Sequence, residues 1–268
     1  MPALPALNPD ALRAQLPPPW RRLDVVDETG STNADLLARA AAGEDIDGAV
    51  LIAEHQTAGR GRHARSWVGT PRSQVAMSVG IDGGDVPVDA WAWLTLATGV
   101  AVVDTVAAET AVAANLKWPN DVLAGDKKLA GILSEVAAPK PLIVVGVGLN
   151  VAFTGEAPDP AATSLTDLGV AAPDRHRLVF RLLTELGERI TAWRSAHGAD
   201  DRLLSDYRDR CQTIGAQVRV VLPGDREIVG VARSIDDRGR LCVESEGETL
   251  AVSAGDVVHL RPIRGFRL

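Results

Sequence analysis

Apolar and polar positions recur along this chain with two different periods, and the change from one to the other divides it. Apolar residues run almost without a break over 50–53, 75–81 and 142–151, the pattern of strands covered on both faces. Shorter strand patterns fall over 20–26 and 115–118, the second stopped by Pro119. Val122 and Leu123, then Ala124-Gly125-Asp126, then residues 129–136 predict a hairpin. Helical periods lie between the strands. Ser31, Thr32 and Asn33 are N-cap residue types ahead of a helix over 34–42 that Gly43 ends. Residues 88–109 are apolar almost all round, which predicts a helix sunk in a core. Asp174 caps a long helix that sets Leu178, Leu182, Leu186, Ile190 and Trp193 on one face, and a shorter helix follows at about 201–210.

Past Gly215 the period drops to two. Residues 218–222, 228–235, 241–244 and 249–252 read as short strands separated by Pro223-Gly224-Asp225, Asp237-Arg238-Gly239 and Glu246-Gly247. Closely spaced strands of this kind predict a small antiparallel barrel. The first nineteen residues hold several prolines and no period, and are expected to be a flexible tail. The chain thus divides into a tail (1–19), a larger mixed domain (20–215) and a small β domain (216–268), α+β overall.

Composition narrows the class. Apolar residues make up 46% and charged residues 24%, ordinary globular values. A formal net charge of -7 argues against general affinity for phosphate backbones, though it leaves room for a local basic patch. Cys211 and Cys242 are the only cysteines and are read as reduced thiols. The N-terminus lacks the basic-then-apolar pattern of a secretory signal. The longest apolar stretch, 91–103, falls short of the roughly 20 residues that span a bilayer. A cytoplasmic protein with no membrane partner is expected.

Familiar chemistries drop out one by one. Gly146-Val147-Gly148 begins like a dinucleotide fingerprint, but the third glycine is missing and no helix follows. There is no phosphate loop of the Walker type and no nucleophile elbow, and the five histidines lack metal-ligand spacing. Three segments remain. His55-Gln56-Thr57-Ala58-Gly59-Arg60-Gly61-Arg62-His63-Ala64-Arg65-Ser66-Trp67 interleaves glycines, which allow close backbone approach, with forked donors for phosphate or carboxylate oxygens. By itself it reads equally well as a solvated loop or a nucleic-acid arm. Lys117-Trp118-Pro119-Asn120-Asp121, followed by Lys127-Lys128-Leu129-Ala130-Gly131-Ile132-Leu133, sets a lysine and an acid at the mouth of a strand, where they suit a phosphate and its Mg²⁺ or simply a tight turn. Gly30-Ser31-Thr32-Asn33 is a helix cap that can also donate to a ligand at the helix N-terminus.

Taken together and in this order, the strings GSTN, QTAGRGRHARSW, KWPNDV, KLAGIL and GVGLNV resemble the catalytic domain of biotin–protein ligases over residues 27–151. The C-terminal strand pattern also fits that family's small SH3-like domain. The resemblance implies an α+β fold: a mixed-sheet catalytic domain of the class II aminoacyl-tRNA-synthetase-like, biotin ligase type, followed by an SH3-like β-barrel. It implies an ATP-dependent, Mg²⁺-assisted ligase that forms biotinyl-5′-AMP and passes biotin to a lysine of a biotin carboxyl carrier protein.

By similarity, Ser31, Thr32, Asn33, Gln56, Gly59, Arg60, Gly61, Arg62 and Lys128 would contact biotin. Arg60, Arg62, Lys117, Asn120, Asp121 and Asn150 would serve ATP or the adenylate, with Asp121 as the Mg²⁺ ligand. Arg62, Lys117 and Lys128 would be catalytic. Two departures accompany the likeness. Ala64 stands where family loops usually carry a third glycine, so a different path is expected for the loop's second half. About twenty proline-rich residues precede the first strand, too few for the winged DNA-binding domain of many relatives, so neither DNA binding nor repression is expected. The chain is expected to be a monomer or weak homodimer. A lipoate or octanoate ligase of the same superfamily is the rival enzyme, and a non-catalytic biotin-responsive protein the rival from another class.

Overall fold

The computed structural model describes residues 4–138, 141–153, 155, 157–222, 226–253 and 255–260. The uninterrupted apolar runs become the middle of a seven-stranded sheet. Its order is β1 (Arg22–Val26), β2 (Ala49–Ala53), β3 (Gln74–Asp82), β7 (Leu142–Asn150), β6 (Lys127–Ala137), β5 (Asp121–Ala124) and β4 (Asn115–Lys117). Only β1 and β2 run parallel; every other neighbouring pair is antiparallel. Strand β7 is buried at each of its positions because β3 and β6 flank it and helices cover both faces.

Alternation along the strands sorts the two faces. Val50, Ile52, Ile143 and Val145 join the main core with α3 (Ala92–Thr110), α4 (Arg175–Ser195) and α5 (Asp201–Arg210). Leu51 and Val144 point the other way, onto Leu36 of α2 (Thr32–Ala41). The segment Val88–Thr110 is long and apolar enough to cross a bilayer by composition alone, with a mean hydropathy of 1.4. It packs instead on β6 and α4 with 72% of its apolar window buried, the setting of a core helix. Its first turn, Val88–Ala90, is 3-10, and the α-helix begins at Ala92.

The N-terminal segment corrects the expectation of a flexible tail. Residues Pro9–Ala14 form a short helix, α1, with Asn8 Oδ1 accepting from the N–H groups of Asp10 and Ala11. Leu7 and Leu12 are buried, and Arg13 Nε donates to Leu23 O of β1 at 2.8 Å. Leu7 N–H donates to Glu54 Oε1 at 2.6 Å, and Glu54 forms a fully enclosed ion pair with Arg175 at 2.6 Å. Two leucines and a proline at the first helical position fix the arm, but the stretch is too short to display a period.

The small domain is a five-stranded antiparallel sheet ordered β11 (Glu248–Val252), β10 (Leu241–Ser245), β9 (Glu227–Ile235), β8 (Gln217–Val221) and β12 (Asp256–His259). The expected turn at Pro223-Gly224-Asp225 lies outside the described residues. Strand β12 was not foreseen from the pattern, being only four residues long. Indole N–H groups of the larger domain hold the turn between β9 and β10: Trp118 donates to Gly239 O at 3.0 Å and Trp93 to Asp237 O at 2.7 Å.

Candidate active site

A cleft of about 560 Å³ opens over the strands β3, β7, β6 and β5, between the start of α2, the glycine–arginine loop and strand β12. Its floor is a ladder of buried polar side chains. Ser31 caps α2, accepting from Ala34 N–H at 3.5 Å, so Thr32 and Asn33 occupy the helix's first turn. Gln56 Oε1 accepts from Thr32 N–H at 2.9 Å and lies 3.1 Å from the Thr32 hydroxyl. That hydroxyl is 2.6 Å from Ser78, and Ser78 donates to Asn33 Oδ1, also at 2.6 Å. Asn33 Nδ2 donates to Leu133 O at 3.1 Å and to Glu135 at 2.8 Å, and Glu135 accepts from Arg60 at 2.8 Å.

The two glycines that resembled a dinucleotide fingerprint have a packing role. A β-carbon on Gly146 would collide with the Asn33 amide, and one on Gly148 with the Trp67 indole. Trp67 is held by its own N–H, which donates to Gln74 Oε1 at 3.0 Å. Lys128 lies above that ring, 5.5 Å from its centroid, and pairs with Asp121 at 2.6 Å. Lysine charge over an indole face is attracted by the ring quadrupole.

The loop folds back on itself through Gly61 N–H, which donates to Arg65 O at 2.7 Å, and through Trp67 N–H to Gly59 O at 2.8 Å. Between them, Arg62–Ala64 makes one 3-10 turn in which His63 and Ala64 have φ of 54° and 56°. Ala64 thus holds a left-handed conformation, one that glycine adopts without strain. Arg62 reaches Asn120 Oδ1 and Gly255 O, each at 3.3 Å. Burial pulls its guanidinium below the ordinary arginine range, Asp121 works in the other direction, and Arg65 adds to the lowering.

The turn after β4 carries Lys117, Trp118, Asn120 and Asp121 to the cleft wall. Asn120 Nδ2 donates to Ile132 O at 2.9 Å, and Trp118 N–H donates to Thr213 Oγ1 at 3.1 Å. His259 of β12 sits 3.0 Å from the same Thr213 hydroxyl. Burial first, then the charge of Lys117, lowers the His259 pKa below its usual value, while Asp126 opposes the shift. A neutral ring nitrogen can accept the Thr213 proton, completing the chain from Trp118 to β12.

Of the residues singled out from the sequence, Ser31, Thr32, Asn33, Gln56, Arg60, Gly61, Arg62, Lys117, Asn120, Asp121, Lys128 and Asn150 all line this one cleft. Gly59 lies behind the wall, buried against the Trp67 backbone. Asn150 sits beneath the cleft with its amide fully engaged: Nδ2 donates to Thr163 O at 3.0 Å, and Oδ1 accepts from Gln74 at 3.2 Å. Ser78, Gln74, Glu135 and Asp256 were missed. A polar residue in the middle of an apolar strand was the available signal for Ser78. Among the described residues no three His, Cys, Asp or Glu side chains gather as a metal site.

Comparison with known proteins agrees with this geometry. The family model of the biotin/lipoate A/B protein ligases matches residues 29–151, and that of the biotin protein ligase C-terminal domain matches 213–260. The chain is 61% identical to the biotin–[acetyl-CoA-carboxylase] ligase of Mycobacterium tuberculosis, covering 96% of this chain and 97% of that one. It is 32% identical to the bifunctional ligase/repressor BirA of Escherichia coli, over 84% of this chain and 69% of the longer relative. The solved biotin protein ligase of Aquifex aeolicus, in complex with biotin and ATP, superposes with a TM-score of 0.77 at 23% identity, covering 90% of this chain and all of that one. The sequence strings, the cleft they line and both domains agree: the chain belongs to the biotin protein ligase family.

Proposed function

We propose that this cleft joins biotin to ATP as biotinyl-5′-AMP and then delivers the biotinyl group to a lysine of a biotin carboxyl carrier protein. One observation carries the reading. A buried ladder of hydroxyl and amide groups at one end meets a cluster of cations, Arg62, Lys117 and Lys128, at the other. A neutral ring of two N–H donors and one acceptor fits the first end, and a carboxylate or phosphate fits the second. In the floor, Ser78 gives its proton to Asn33 and Thr32 can give its own to Ser78. Gln56 Oε1 then has a lone pair free to accept a ureido N–H, and leaving such a group unpaired would cost about 1–3 kcal/mol.

The chemistry follows from the poor reactivity of a carboxylate toward amines. Attack of the biotin carboxylate oxygen on the α-phosphorus forms one P–O bond and breaks the one to pyrophosphate. Lys128, which pairs with Asp121, can swing its charge onto the developing phosphate oxygens beside Lys117, while Arg62 closes over them with the loop. Asp121 supplies one carboxylate, which suits a Mg²⁺ that is otherwise held by nucleotide phosphates and water. When bound, that ion withdraws charge from the phosphates. The lysine amine then attacks the acyl carbon, AMP departs and the amine loses a proton. The loop excludes water meanwhile, since water would hydrolyse the anhydride.

Purified protein given biotin, MgATP and a carrier domain is expected to release pyrophosphate and label the acceptor lysine, with lipoate giving neither. The matched C-terminal family domain favours biotin over lipoate. Failure to release pyrophosphate in the presence of biotin would overturn the reading.

A further inference from the structure

Strand β12 belongs to the small domain, yet its residues reach two walls of the cleft, the glycine–arginine loop and the turn after β4. Asp256 carries an ion pair to Arg65 of the loop, and His63 approaches its other oxygen at 3.6 Å. Next to it, Gly255 O accepts from both terminal nitrogens of Arg62, at 3.3 and 3.4 Å. Val257 and Val258 continue the same lining, and His259 reaches the Lys117–Trp118 turn through Thr213. No other part of the small domain lines the cleft among the described residues.

The loop itself has few anchors. Its internal bonds, Gly61 to Arg65 and Trp67 to Gly59, fix its shape but not its distance from the cleft. At its base His55, Thr57 and Ala58 are tied to residues 28–30, and beyond that its outward ties include Arg60 to Glu135, Arg62 to Asn120 and Gly255, Trp67 to Gln74 and Lys128, and the Asp256 contacts. Only the last group holds the apex, where His63 and Ala64 sit in left-handed conformations that favour opening.

We propose that Asp256 is a positioning residue of biotinyl transfer: by pairing with Arg65 and His63 it holds the loop apex down and keeps Arg62 over the adenylate. It touches no reacting atom. Its effect is on retention of the intermediate rather than on making it. The proposal rests on the adenylate-forming reading of the cleft.

The test uses the full chain in a single turnover with biotin and MgATP and follows two readouts, pyrophosphate formed and biotinyl-AMP escaping into solution. Asp256→Asn is expected to raise escape about fivefold, the upper range for a half-exposed ion pair, with little change in pyrophosphate formation. Asp256→Glu should retain the adenylate nearly as well as the parent. Reversing the pair, Arg65→Asp with Asp256→Arg, should recover most of the retention that either change alone loses. Val243→Ala loosens the same small sheet from β10, which β9 and β8 separate from β12, and should not leak. Unchanged escape in Asp256→Asn, no recovery in the reversed pair, or equal leakage from Val243→Ala would each overturn the proposal. Absence of adenylate in the parent protein would instead remove the reading of the cleft itself.

Discussion

The floor and the roof of the cleft are both polar, but they are built by different physics. In the floor, Ser78, Thr32 and Asn33 are no more than 4% exposed, and their side chains bond to one another, to Gln56, to Leu133 O and to the partly buried Glu135. In the roof, Arg60, His63 and Arg65 are 42%, 50% and 63% exposed, and their partners are carboxylates within reach of water. Buried hydrogen bonds of the first kind are costly to break because the orphaned group has no substitute partner. Ion pairs of the second kind contribute about 0–1 kcal/mol and break readily. The floor can therefore select a ligand by its donors and acceptors, while the roof can open and close over it on a small free-energy difference.

The largest effect is expected where floor and roof meet. Lys128 stands between Trp67, Asp121 and the cleft, so its charge serves whichever anion lies there. Lys128→Ala should lower biotin-dependent ATP–pyrophosphate exchange by about 10²–10³, the usual loss of a transition-state charge contact. Exchange within a few-fold of the parent would place the charge elsewhere, with Lys117 next in line.

Breaking the floor should be felt in both stability and ligand affinity. Ser78→Ala leaves Asn33 Oδ1 buried without a donor, at a cost of about 1–3 kcal/mol. Thr32 would lose its partner and turn its proton to Gln56, occupying the acceptor assigned to the ureido ring. A lower Tm together with about tenfold weaker biotin binding is expected, and calorimetry reads both. A fall in Tm with unaltered biotin affinity would make the ladder scaffolding only.

This contrast also explains what could be read from the sequence. Strands β2, β3 and β7 were legible because burial on both faces leaves an unbroken apolar run, and α4 because cap and period agreed. The order of the polar strings identified the cleft, since Thr32 of α2, Gln56 of the loop after β2, Lys117 of β4 and Lys128 of β6 meet there. Contacts that depend on tertiary placement stayed hidden. Asp256 looks like any surface acid on a short strand, and Ser78 like one polar residue within an apolar run. The N-terminal arm was misread because prolines and brevity resemble a tail, whereas the Glu54–Arg175 pair that receives it joins residues more than a hundred positions apart. The glycines of GVGLN share a spacing with the nucleotide fingerprint that the sequence excluded, but that they leave space for Asn33 and Trp67 shows only in the fold.

Opening the roof should leave synthesis largely in place. Arg62 is the one arginine of the loop that reaches the Asn120 wall and β12 at once. Arg62→Gly removes both ties and adds backbone freedom, so adenylate should still form but escape about tenfold faster. A chase with unlabelled biotin measures the escape; if no free biotinyl-AMP appears, the loop is not the barrier that retains it.

The smallest effect is expected at Ala64, and its size is informative. An L-residue at φ 56° is strained by roughly 1–2 kcal/mol, which glycine would relieve. Glycine also widens the freedom of the open loop, which opposes closure by roughly 0.5–1 kcal/mol. The two contributions largely cancel, so Ala64→Gly should change adenylate escape less than about threefold and leave Tm almost unmoved. Ala64→Val has no such compensation: a β-branched residue resists the left-handed region more strongly than alanine, so closure should weaken and escape should rise. If valine retains the intermediate as well as glycine does, the apex does not hold this left-handed turn when the anhydride is sheltered, and the weak hold on the roof must come from its exposed ion pairs alone.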